Sequence, residues 1–214
     1  MDSRTIDYYN SNADAYFEST VGADMAALRE RFLKLVQPGG RIIDVGAGSG
    51  RDLKYFLDAG FDAEGIDLSC ELCRKAEAYS GVKVMCADVC EWQPDKKYDG
   101  VWANASLLHL PVSEIENFVL RLPLILKNGG VAFISMKSGI ADGYDDKGRF
   151  FTNFSEEMMH GILEKSDSLE LVDCWRTGDE LQRDGFEWIN FLIRNCGGRL
   201  MTTMVDLTRR MAGG

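Results

Sequence analysis

The segment IIDVGAGSGRD, residues 42–52, determines how the rest of the chain is interpreted. Its first half is apolar and β-branched, which predicts a buried strand, and three alternating glycines then lead into a helical pattern. Glycine lets the backbone approach a ligand closely, and the N-terminus of the following helix offers free N–H groups to negative charge. The segment therefore predicts a strand, a tight turn and a helix at a ligand site.

Short β-type runs and helical patterns alternate around this segment. Parallel strands need a crossover connection, so the alternation predicts a parallel sheet with helices on both faces. Two later β-type runs, 169–176 and 186–193, have no helix between them and predict an antiparallel pair. The predicted fold is α/β: a doubly wound, mostly parallel seven-stranded sheet with helices on both faces and an antiparallel C-terminal edge hairpin. The earlier strands are predicted at 41–45, 62–66, 83–86, 98–103 and 131–136, and the helices between them at 51–59, 70–79 and 112–126.

The flanking segments depart from this alternation. Helical patterns at 6–17 and 25–36 precede the first strand, and we expect this N-terminal part to lie across the sheet as a lid. Residues 137–153 are rich in glycine and acidic residues and predict a long loop. A helix is predicted at 155–165, and apolar residues on one helical face predict a final helix at 200–211.

Composition limits the classes of function. The chain has 214 residues, with 24 Lys and Arg against 34 Asp and Glu, which gives a formal net charge of −10. Such a charge repels a phosphate backbone, so we expect no nucleic-acid partner. No run approaches the roughly 18 apolar residues of a membrane span, and the start lacks a signal-peptide pattern. We therefore expect a cytoplasmic protein with no membrane partner, and its six cysteines should be reduced.

Three acidic residues accompany successive predicted strands. Asp44 lies in the first strand, Asp67 stands 21 residues after Gly46 at the end of the second, and Asp88 follows the third. The carboxyl ends of the strands form the ligand crevice of an open α/β sheet, and a carboxylate there suits the two hydroxyls of a ribose. The spacing predicts that all three acids reach one bound molecule. For Asp88 alone, the alternative is an Asx turn at a strand end.

The ordered set of motifs resembles the class I S-adenosylmethionine-dependent methyltransferases. DVGAGSG at 44–50 is similar to their first motif, GIDL at 65–68 to the second and CADV at 86–89 to the third. WANASLLHL at 102–110 and LKNGGVAFIS at 126–135 are similar to the segments near the fourth and fifth strands. The ordered set is more specific than any one motif. The resemblance covers roughly residues 5–137 and implies an enzyme that uses S-adenosyl-L-methionine.

The resemblance also implies a role for each matching residue. The glycine turn would pass under the methionine moiety, Asp67 would bind both ribose hydroxyls, and Asp88 would accept a hydrogen bond from the adenine amino group. Leu68 and Val89 would flank the adenine, and the segment after the fourth strand would lie near the sulfonium. The N-terminal segment is similar to the one that covers the cofactor in this family. The implied cofactor-binding residues are Tyr9, Tyr16, Asp44, Gly46, Ala47, Gly48, Gly50, Asp67, Leu68, Asp88, Val89, Asn104 and Ala105.

Two alternatives compete with this interpretation. NAD-dependent dehydrogenases also have a glycine-rich turn, but they prefer G-x-G-x-x-G, whereas this turn reads G-x-G-x-G and continues with Arg51. The spacings C-x-x-C at 70–73 and C-x-x-x-C at 86–90 suggest a zinc site with four thiolates. Because the first pair begins a helix and the second brackets Asp88, we interpret these cysteines as free thiols and expect no metal site.

His109 is the candidate catalytic residue. It follows the fourth predicted strand, near the place that a methyl acceptor would occupy. Its imidazole is a candidate general base, and the alternative is a packed or capping histidine. Methyl transfer needs such a base only when the acceptor is an O–H, N–H or C–H acid of high pKa. Asp142, Asp145 and Asp146 in the predicted loop are candidates for binding a cation, with a solvated loop as the alternative.

The implied reaction is methyl transfer by in-line displacement at the sulfonium. The short, acidic chain has no evident recognition domain, which favours a small-molecule acceptor. Methylation of protein or RNA, and a non-catalytic cofactor-binding partner subunit, are the alternatives. We expect a single methyltransferase domain over 1–214: a helical lid at 1–36, a cofactor-binding half at 37–136, and a substrate-side half with a C-terminal helix at 137–214. The oligomeric state is open, with a homodimer as one option.

Overall fold

A computed structural model describes residues 3–179 and 186–198 of the chain. The helix predicted at 200–211 lies outside the described residues, as does most of the polar link between the two late strands. Within the described ranges, no helix has the length and apolar character needed to cross a membrane.

Strands and helices follow the predicted order, with boundaries that differ by a few residues. The helices are α1 (Ser3–Ser11), α2 (Ala13–Thr20), α3 (Ala26–Leu33), α4 (Arg51–Asp58), α5 (Cys70–Ser80), α6 (Val112–Ile125) and α7 (Glu156–Leu163). The strands are β1 (Arg41–Val45), β2 (Asp62–Asp67), β3 (Val84–Cys86), β4 (Tyr98–Asn104), β5 (Leu126–Ser138), β6 (Gly143–Tyr144), β7 (Phe150–Phe151), β8 (Leu169–Thr177) and β9 (Glu187–Asn195). A short 3-10 helix, Leu107–His109, follows β4.

The main sheet has seven strands in the order β3-β2-β1-β4-β5-β9-β8. Strands β1 to β5 run parallel to one another, whereas β9 is antiparallel to both β5 and β8. The predicted α/β fold and its antiparallel C-terminal edge hairpin are therefore confirmed. The strand order reverses between β1 and β4, and in open α/β sheets ligands bind at this switch point, outside the carboxyl ends of the strands.

Helices cover both faces of the sheet. On one face, Phe32 of α3, Phe56 of α4 and Trp102 of β4 are fully buried and pack edge-on or tilted against one another. On the other face, α6 presents Phe118 and its apolar neighbours one turn apart, and Ile162 of α7 joins the same cluster. These two layers hold β1 and β4 between them, so the strands that lead into the crevice have fixed positions.

The segment predicted as a long loop contains a second, two-stranded sheet. Strands β6 and β7 pair antiparallel through Gly143 with Phe151 and Tyr144 with Phe150. Asp145 closes the turn, because its carboxylate accepts hydrogen bonds from the Arg149 N–H at 2.8 Å and forms an ion pair with the Arg149 guanidinium at 2.6 Å. Two-residue strands carry no periodicity, which explains why the sequence indicated only a loop.

The expectation that all six cysteines are reduced is wrong for two of them. Cys70, the first residue of α5, and Cys86, the last residue of β3, form a disulfide with a Cα–Cα distance of 5.2 Å. The two residues are 16 positions apart and meet because β3 pairs with β2, so no local sequence pattern indicates the bond. Cys73, Cys90 and Cys174 remain thiols.

The glycine turn generates a prediction about stability. Gly50 precedes α4 with φ of 76°, and a Cβ at this position would lie 2.8 Å from the Ala76 backbone of α5. We expect Gly50→Ala to lower the free energy of unfolding by about 3 kcal/mol or more, from overpacking added to left-handed strain. Gly60 is a matched control, because its φ is 85° but nothing lies within 4 Å of its Cβ position. Gly60→Ala should cost only about 1–2 kcal/mol in urea denaturation, and equal losses would contradict the close packing at Gly50.

Candidate functional site

The glycine turn brings the backbone close to the segment that follows β4. Gly46 and Gly48 have φ values of 75° and 55°, which are accessible to glycine at little cost. A Cβ on Gly46 would lie 2.2 Å from the Cβ of Ser106, and a Cβ on Gly48 would lie 3.2 Å from the Tyr16 ring. The backbone can approach β4 and the N-terminal helices this closely because neither Gly46 nor Gly48 has a side chain.

Asp67, at the carboxyl end of β2, joins this turn to the start of α5. Its two carboxylate oxygens accept hydrogen bonds from the N–H of Gly48 and the N–H of Ser69, each at 2.9 Å. Burial raises the pKa of Asp67, while the backbone N–H donors act in the opposite direction. The hydroxyl of Ser69 also donates to the Asn10 side chain at 2.7 Å, so α1 is tied to the same point.

A first compartment opens beside Asp67. The turn after β3 contributes Asp88, whose carboxylate accepts a hydrogen bond from the Cys90 N–H at 2.9 Å, as in the Asx turn considered above. Leu68 and Val89 line the compartment from the ends of β2 and β3. The compartment thus combines two acids with apolar walls, which suits a flat polar ring attached to a diol. Its lining includes Ile6, Tyr9, Tyr16, Gly46, Gly48, Asp67, Leu68, Asp88, Val89, Ala105, Ser106 and His109.

Two buried acids on the other side of the turn have contrasting surroundings. Asp52, in the first turn of α4, accepts hydrogen bonds from Arg51, Arg29 and the Trp102 indole. Burial alone would raise the pKa of Asp52, but these donors and the two positive charges hold it below its usual value. Asp44 is 3% exposed, and burial together with the charge of Asp52 raises its pKa well above the usual range. Within the described residues, no cation forms an ion pair with Asp44.

The segment after β4 is strained and contains an unsatisfied polar group. Ala105 has φ of 57°, the left-handed value that residues other than glycine rarely adopt. The next residue, Ser106, has a buried hydroxyl for which the described part of the chain provides no hydrogen-bond partner. Strained residues and unpaired buried polar atoms concentrate at ligand sites. Asn104 and Ala105 were predicted from the sequence at this place, whereas Ser106 was not, because no motif residue singles it out.

The N-terminal helices supply two tyrosines to the site. Tyr9 of α1 and Tyr16 of α2 meet edge to face, with ring centroids 5.2 Å apart. The hydroxyl of Thr5 accepts a hydrogen bond from the Phe150 N–H at 2.9 Å, which fixes α1 against β7. These contacts hold α1 beside the crevice, and its role as a lid stays a prediction. Burial raises the pKa of Tyr9, so its phenol is neutral at ordinary pH.

His109 is buried, and both of its ring nitrogens have partners. Nδ1 lies 2.6 Å from the Phe150 carbonyl oxygen, and Nε2 lies 2.7 Å from the Tyr9 hydroxyl. Because a carbonyl only accepts, Nδ1 carries the proton and Nε2 accepts from Tyr9. Burial lowers the pKa of His109 to about 4, so the ring is neutral near pH 7. The sequence alone could not show this contact between residues 100 positions apart.

A second compartment continues from the first, past the glycine turn, toward β5 and β9. Its lining includes Ser135 and Lys137 of β5, Arg149, Phe151 of β7 and Trp188 of β9. The Lys137 ammonium lies 4.5 Å from the centroid of the Phe151 ring. Of the residues predicted for the site, Gly50 alone lines neither compartment. Those that line the second compartment are Tyr9, Tyr16, Asp44, Gly46, Ala47, Gly48, Asn104, Ala105 and His109.

A family model described as a methyltransferase domain matches residues 17–177, which is more than half of the chain. The chain belongs to this methyltransferase family. This match confirms the sequence-based recognition of the methyltransferase family and of an enzyme. No curated protein matches the chain significantly.

Solved structures share the fold of this methyltransferase at low sequence identity. The 1,6-didemethyltoxoflavin-N1-methyltransferase of Burkholderia thailandensis, solved with S-adenosylhomocysteine, is 21% identical over 90% of this chain and 85% of its own, with a TM-score of 0.70. Magnesium protoporphyrin IX methyltransferase from Synechocystis, solved with S-adenosylmethionine, is 16% identical over 91% and 98%, with a TM-score of 0.67. The 4+2 cyclase SpnF is 16% identical over 90% and 95%, with a TM-score of 0.70. The fold alone therefore does not define a reaction.

The contrast between buried acids generates a prediction about stability and pH. The folded-state pKa of Asp44 is raised, so its ionisation destabilises the fold as pH rises above the unfolded value of 3.8. Asp99 is also buried, but Lys127 and the Arg41 N–H lower its pKa against the effect of burial, so its ionisation stabilises the fold above pH 3.8 and this contribution is lost in acid. We expect Asp44→Asn to raise the Tm of the ligand-free protein at pH 7.5 and Asp99→Asn to lower it.

Thermal denaturation of the parent protein and both variants from pH 5 to pH 8 measures these opposite changes in Tm. The Asp44→Asn difference should shrink as the pH falls, because protonation of Asp44 in the parent removes the unfavourable ionisation. The Asp99→Asn difference should stay constant over this range, because the pKa of Asp99 is lowered from 3.8 and its contribution is lost only below that pH. A lower Tm for Asp44→Asn at pH 7.5 would contradict the raised pKa of Asp44.

Proposed function

We propose that this chain transfers a methyl group from S-adenosylmethionine to a small-molecule acceptor bound in the second compartment. The observation that carries the proposal is the continuity of two compartments across one glycine turn, with different chemistry on each side. The first combines the Asp67 and Asp88 carboxylates with apolar walls. The second has carboxylates too, but it adds two cations and two aromatic rings that the first does not have: Lys137, Arg149, Phe151 and Trp188. Two reactants in adjoining compartments meet at the turn, which is the arrangement that group transfer requires.

The residues around the turn fit the cofactor. Asp67 retains lone pairs on both oxygens after accepting from Gly48 and Ser69, so it has acceptor capacity for the two ribose hydroxyls. Asp44, a buried acid without a paired cation among the described residues, offers a counter-charge to the methionine ammonium. The unpaired Ser106 hydroxyl offers a further hydrogen bond beside the turn. When bound, the cofactor supplies an electrophilic methyl group.

The enclosure of the second compartment favours a compact acceptor over a protein or RNA chain. Tyr9, Tyr16 and Thr20 of α1 and α2 form part of its wall, together with Phe151 of β7. A macromolecule would need an open groove, whereas a compartment walled by the chain's own helices suits a ligand that can be largely surrounded. The named acceptors of two structural neighbours, a didemethyltoxoflavin and a magnesium porphyrin, are small molecules, which supports the same class.

Tyr9 and His109 provide a route for the proton that an O–H or N–H acceptor must lose. Tyr9 lines both compartments, and its hydroxyl donates to Nε2 of His109 at 2.7 Å. The proton that an acceptor O–H or N–H would lose on methylation would pass to the Tyr9 oxygen, and the Tyr9 proton would pass to Nε2. Arg149 lies beside the same hydroxyl and favours a partial negative charge on the oxygen. His109 therefore acts as the base through Tyr9, and Nδ1–H is oriented by Phe150.

The cofactor assignment is tested by binding, without knowledge of the acceptor. We expect Asp67→Ala to weaken S-adenosylhomocysteine binding by about 2–3 kcal/mol, because it removes a charged acceptor from a buried site. Asp62→Ala is the matched control. Asp62 begins the same strand, its side chain is exposed, and its carboxylate forms an ion pair with Arg41. Calorimetry should give parental affinity for the control and no binding of NAD. Parental affinity in Asp67→Ala would overturn the ribose assignment.

The acceptor side is tested by turnover. The enzyme is incubated with isotope-labelled cofactor and either a metabolite extract below about 1 kDa or a mixture of protein and RNA. Label in the small-molecule fraction supports the proposal, whereas label in a polymer contradicts it. With that acceptor, Tyr9→Phe and His109→Gln should each lower kcat about 100-fold. The double variant should lose little more, since the two residues form one relay. Tyr8→Phe, which alters the neighbouring ring, is the control.

The pH profile checks that His109 is neutral during turnover, and cofactor affinity separates the relay from a purely packing role. Because burial places the pKa of His109 near 4, kcat should show no inflection from this residue between pH 6 and pH 8. Loss of cofactor affinity in parallel with kcat in both variants would indicate packing. An unchanged kcat in Tyr9→Phe would exclude the relay.

A further inference from the structure

The Cys70–Cys86 disulfide lies on the rim of the first compartment. Cys70 follows the lining segment Asp67–Ser69 directly, and Cys86 directly precedes the lining segment Ala87–Val89. The bond therefore connects the two chain segments that carry the walls of the proposed adenosine pocket. It belongs to neither the catalytic relay nor the glycine turn.

Both cysteines of this pair are accessible to reagents in solution. Cys70 and Cys86 are exposed, and β3 is an edge strand of the main sheet. The nearby thiols Cys73 and Cys90 are less accessible, and burial raises the pKa of each to about 12. Since the thiolate is the reactive form, these two neighbours are poor competitors in disulfide exchange. The geometry thus favours one specific pair.

Apart from the disulfide, a short ladder and a small number of hydrogen bonds connect β3 to its neighbours. Strand β3 has three residues, and three register pairs join it to β2. Beyond the ladder, backbone hydrogen bonds run from the Ala87 N–H to the Asp67 carbonyl at 3.0 Å and from the Gly65 N–H to the Lys83 carbonyl at 3.2 Å. The Val84 N–H of β3 also donates to the Glu77 side chain of α5 at 2.9 Å. A short edge strand is easily displaced when a covalent link is removed. The disulfide is therefore a substantial part of what holds the two walls at a fixed separation.

We propose that Cys70 and Cys86 form a reversible thiol–disulfide site whose oxidation strengthens cofactor binding. The inference rests on the proposed function, because it assigns the first compartment to the adenosine part of the cofactor. The oxidised rim is preorganised for the ligand, whereas the reduced rim must be ordered when the ligand binds. The state of this pair then sets the affinity of the enzyme for its cofactor and product.

The partner reagent is a small-molecule disulfide such as oxidised glutathione. One protein thiolate attacks a sulfur of the small disulfide, forms a mixed disulfide and releases one small thiolate. The second protein thiolate then attacks the protein sulfur of the mixed disulfide, closes the Cys70–Cys86 bond and releases the second small thiolate. The two protein thiols lose two protons and two electrons, and the small disulfide accepts the two electrons. Reduced glutathione or another thiol reverses the exchange.

Binding to defined redox forms tests the proposal. The protein is equilibrated with oxidised or reduced glutathione, the bond is verified by peptide mass spectrometry, and S-adenosylhomocysteine binding is measured by calorimetry. We expect the reduced form to bind about fivefold or more weakly than the oxidised form. The Cys70→Ser/Cys86→Ser double variant should bind like the reduced parent in both buffers. Cys196→Ser, which removes another exposed cysteine, should keep the parental redox response.

The outcomes separate this inference from the proposed function. If both redox forms bind S-adenosylhomocysteine with equal affinity, or the reduced form binds more tightly, the redox site is overturned and the cofactor assignment stands. Absence of a Cys70–Cys86 peptide after equilibration with oxidised glutathione also overturns it. If neither form binds, the proposed function fails and this inference fails with it.

Discussion

The two hydrogen bonds that Asp67 accepts from Gly48 and Ser69 hold the ligand crevice together. Because Asp67 stands at the end of β2, these bonds connect the glycine turn after β1 with the start of α5. The crevice therefore has its shape before any ligand arrives, since a preformed site saves the free energy of ordering loops during binding. A carboxylate suits this position because it can accept two backbone N–H groups and retain lone pairs for further donors. The same residue is then both a structural clamp and a binding group, so substitutions at Asp67 affect both properties.

Unfavourable features of the fold are concentrated on one side of this clamp. Asp44 is a buried acid with no ion pair among the described residues, Ser106 has a buried hydroxyl for which they provide no partner, and Ala105 has a left-handed backbone. Asp52, only one helical turn into α4, is surrounded by donors and positive charge. The difference shows that the chain is able to satisfy a buried acid in this region. Unsatisfied groups concentrate where a ligand completes them, and here they lie on the side of the crevice where we propose that cofactor and acceptor meet.

The sequence predicted those parts of the molecule that depend on local pattern and strand order. Strand ends of a parallel sheet lie at one edge, so the motifs carrying Asp67 and Asp88 could be assigned to one crevice from spacing alone. Contacts that depend on chain packing were not predictable. Tyr9 reaches His109 across 100 positions, and Cys70 meets Cys86 through the β2–β3 pairing. The β6–β7 hairpin, whose strands have two residues each, is too short to show alternation. The acidic residues there indicated solvent or a cation, whereas Asp145 instead closes the hairpin turn through Arg149.

The same geometry gives a reason why solved structures of this fold include methyltransferases with different acceptors and a cyclase. The first compartment is built from strand ends and the glycine turn, which the sheet constrains, whereas the second depends on β7, β9 and the N-terminal helices. Both compartments are lined by Tyr9, Tyr16 and His109, so the N-terminal helices contribute to the wall of each. Ordering of α1 over a cofactor would also complete the wall of the acceptor compartment, and each ligand would thereby assist the binding of the other. Changes in the second compartment can then alter the acceptor or the reaction while the cofactor clamp at Asp67 is retained.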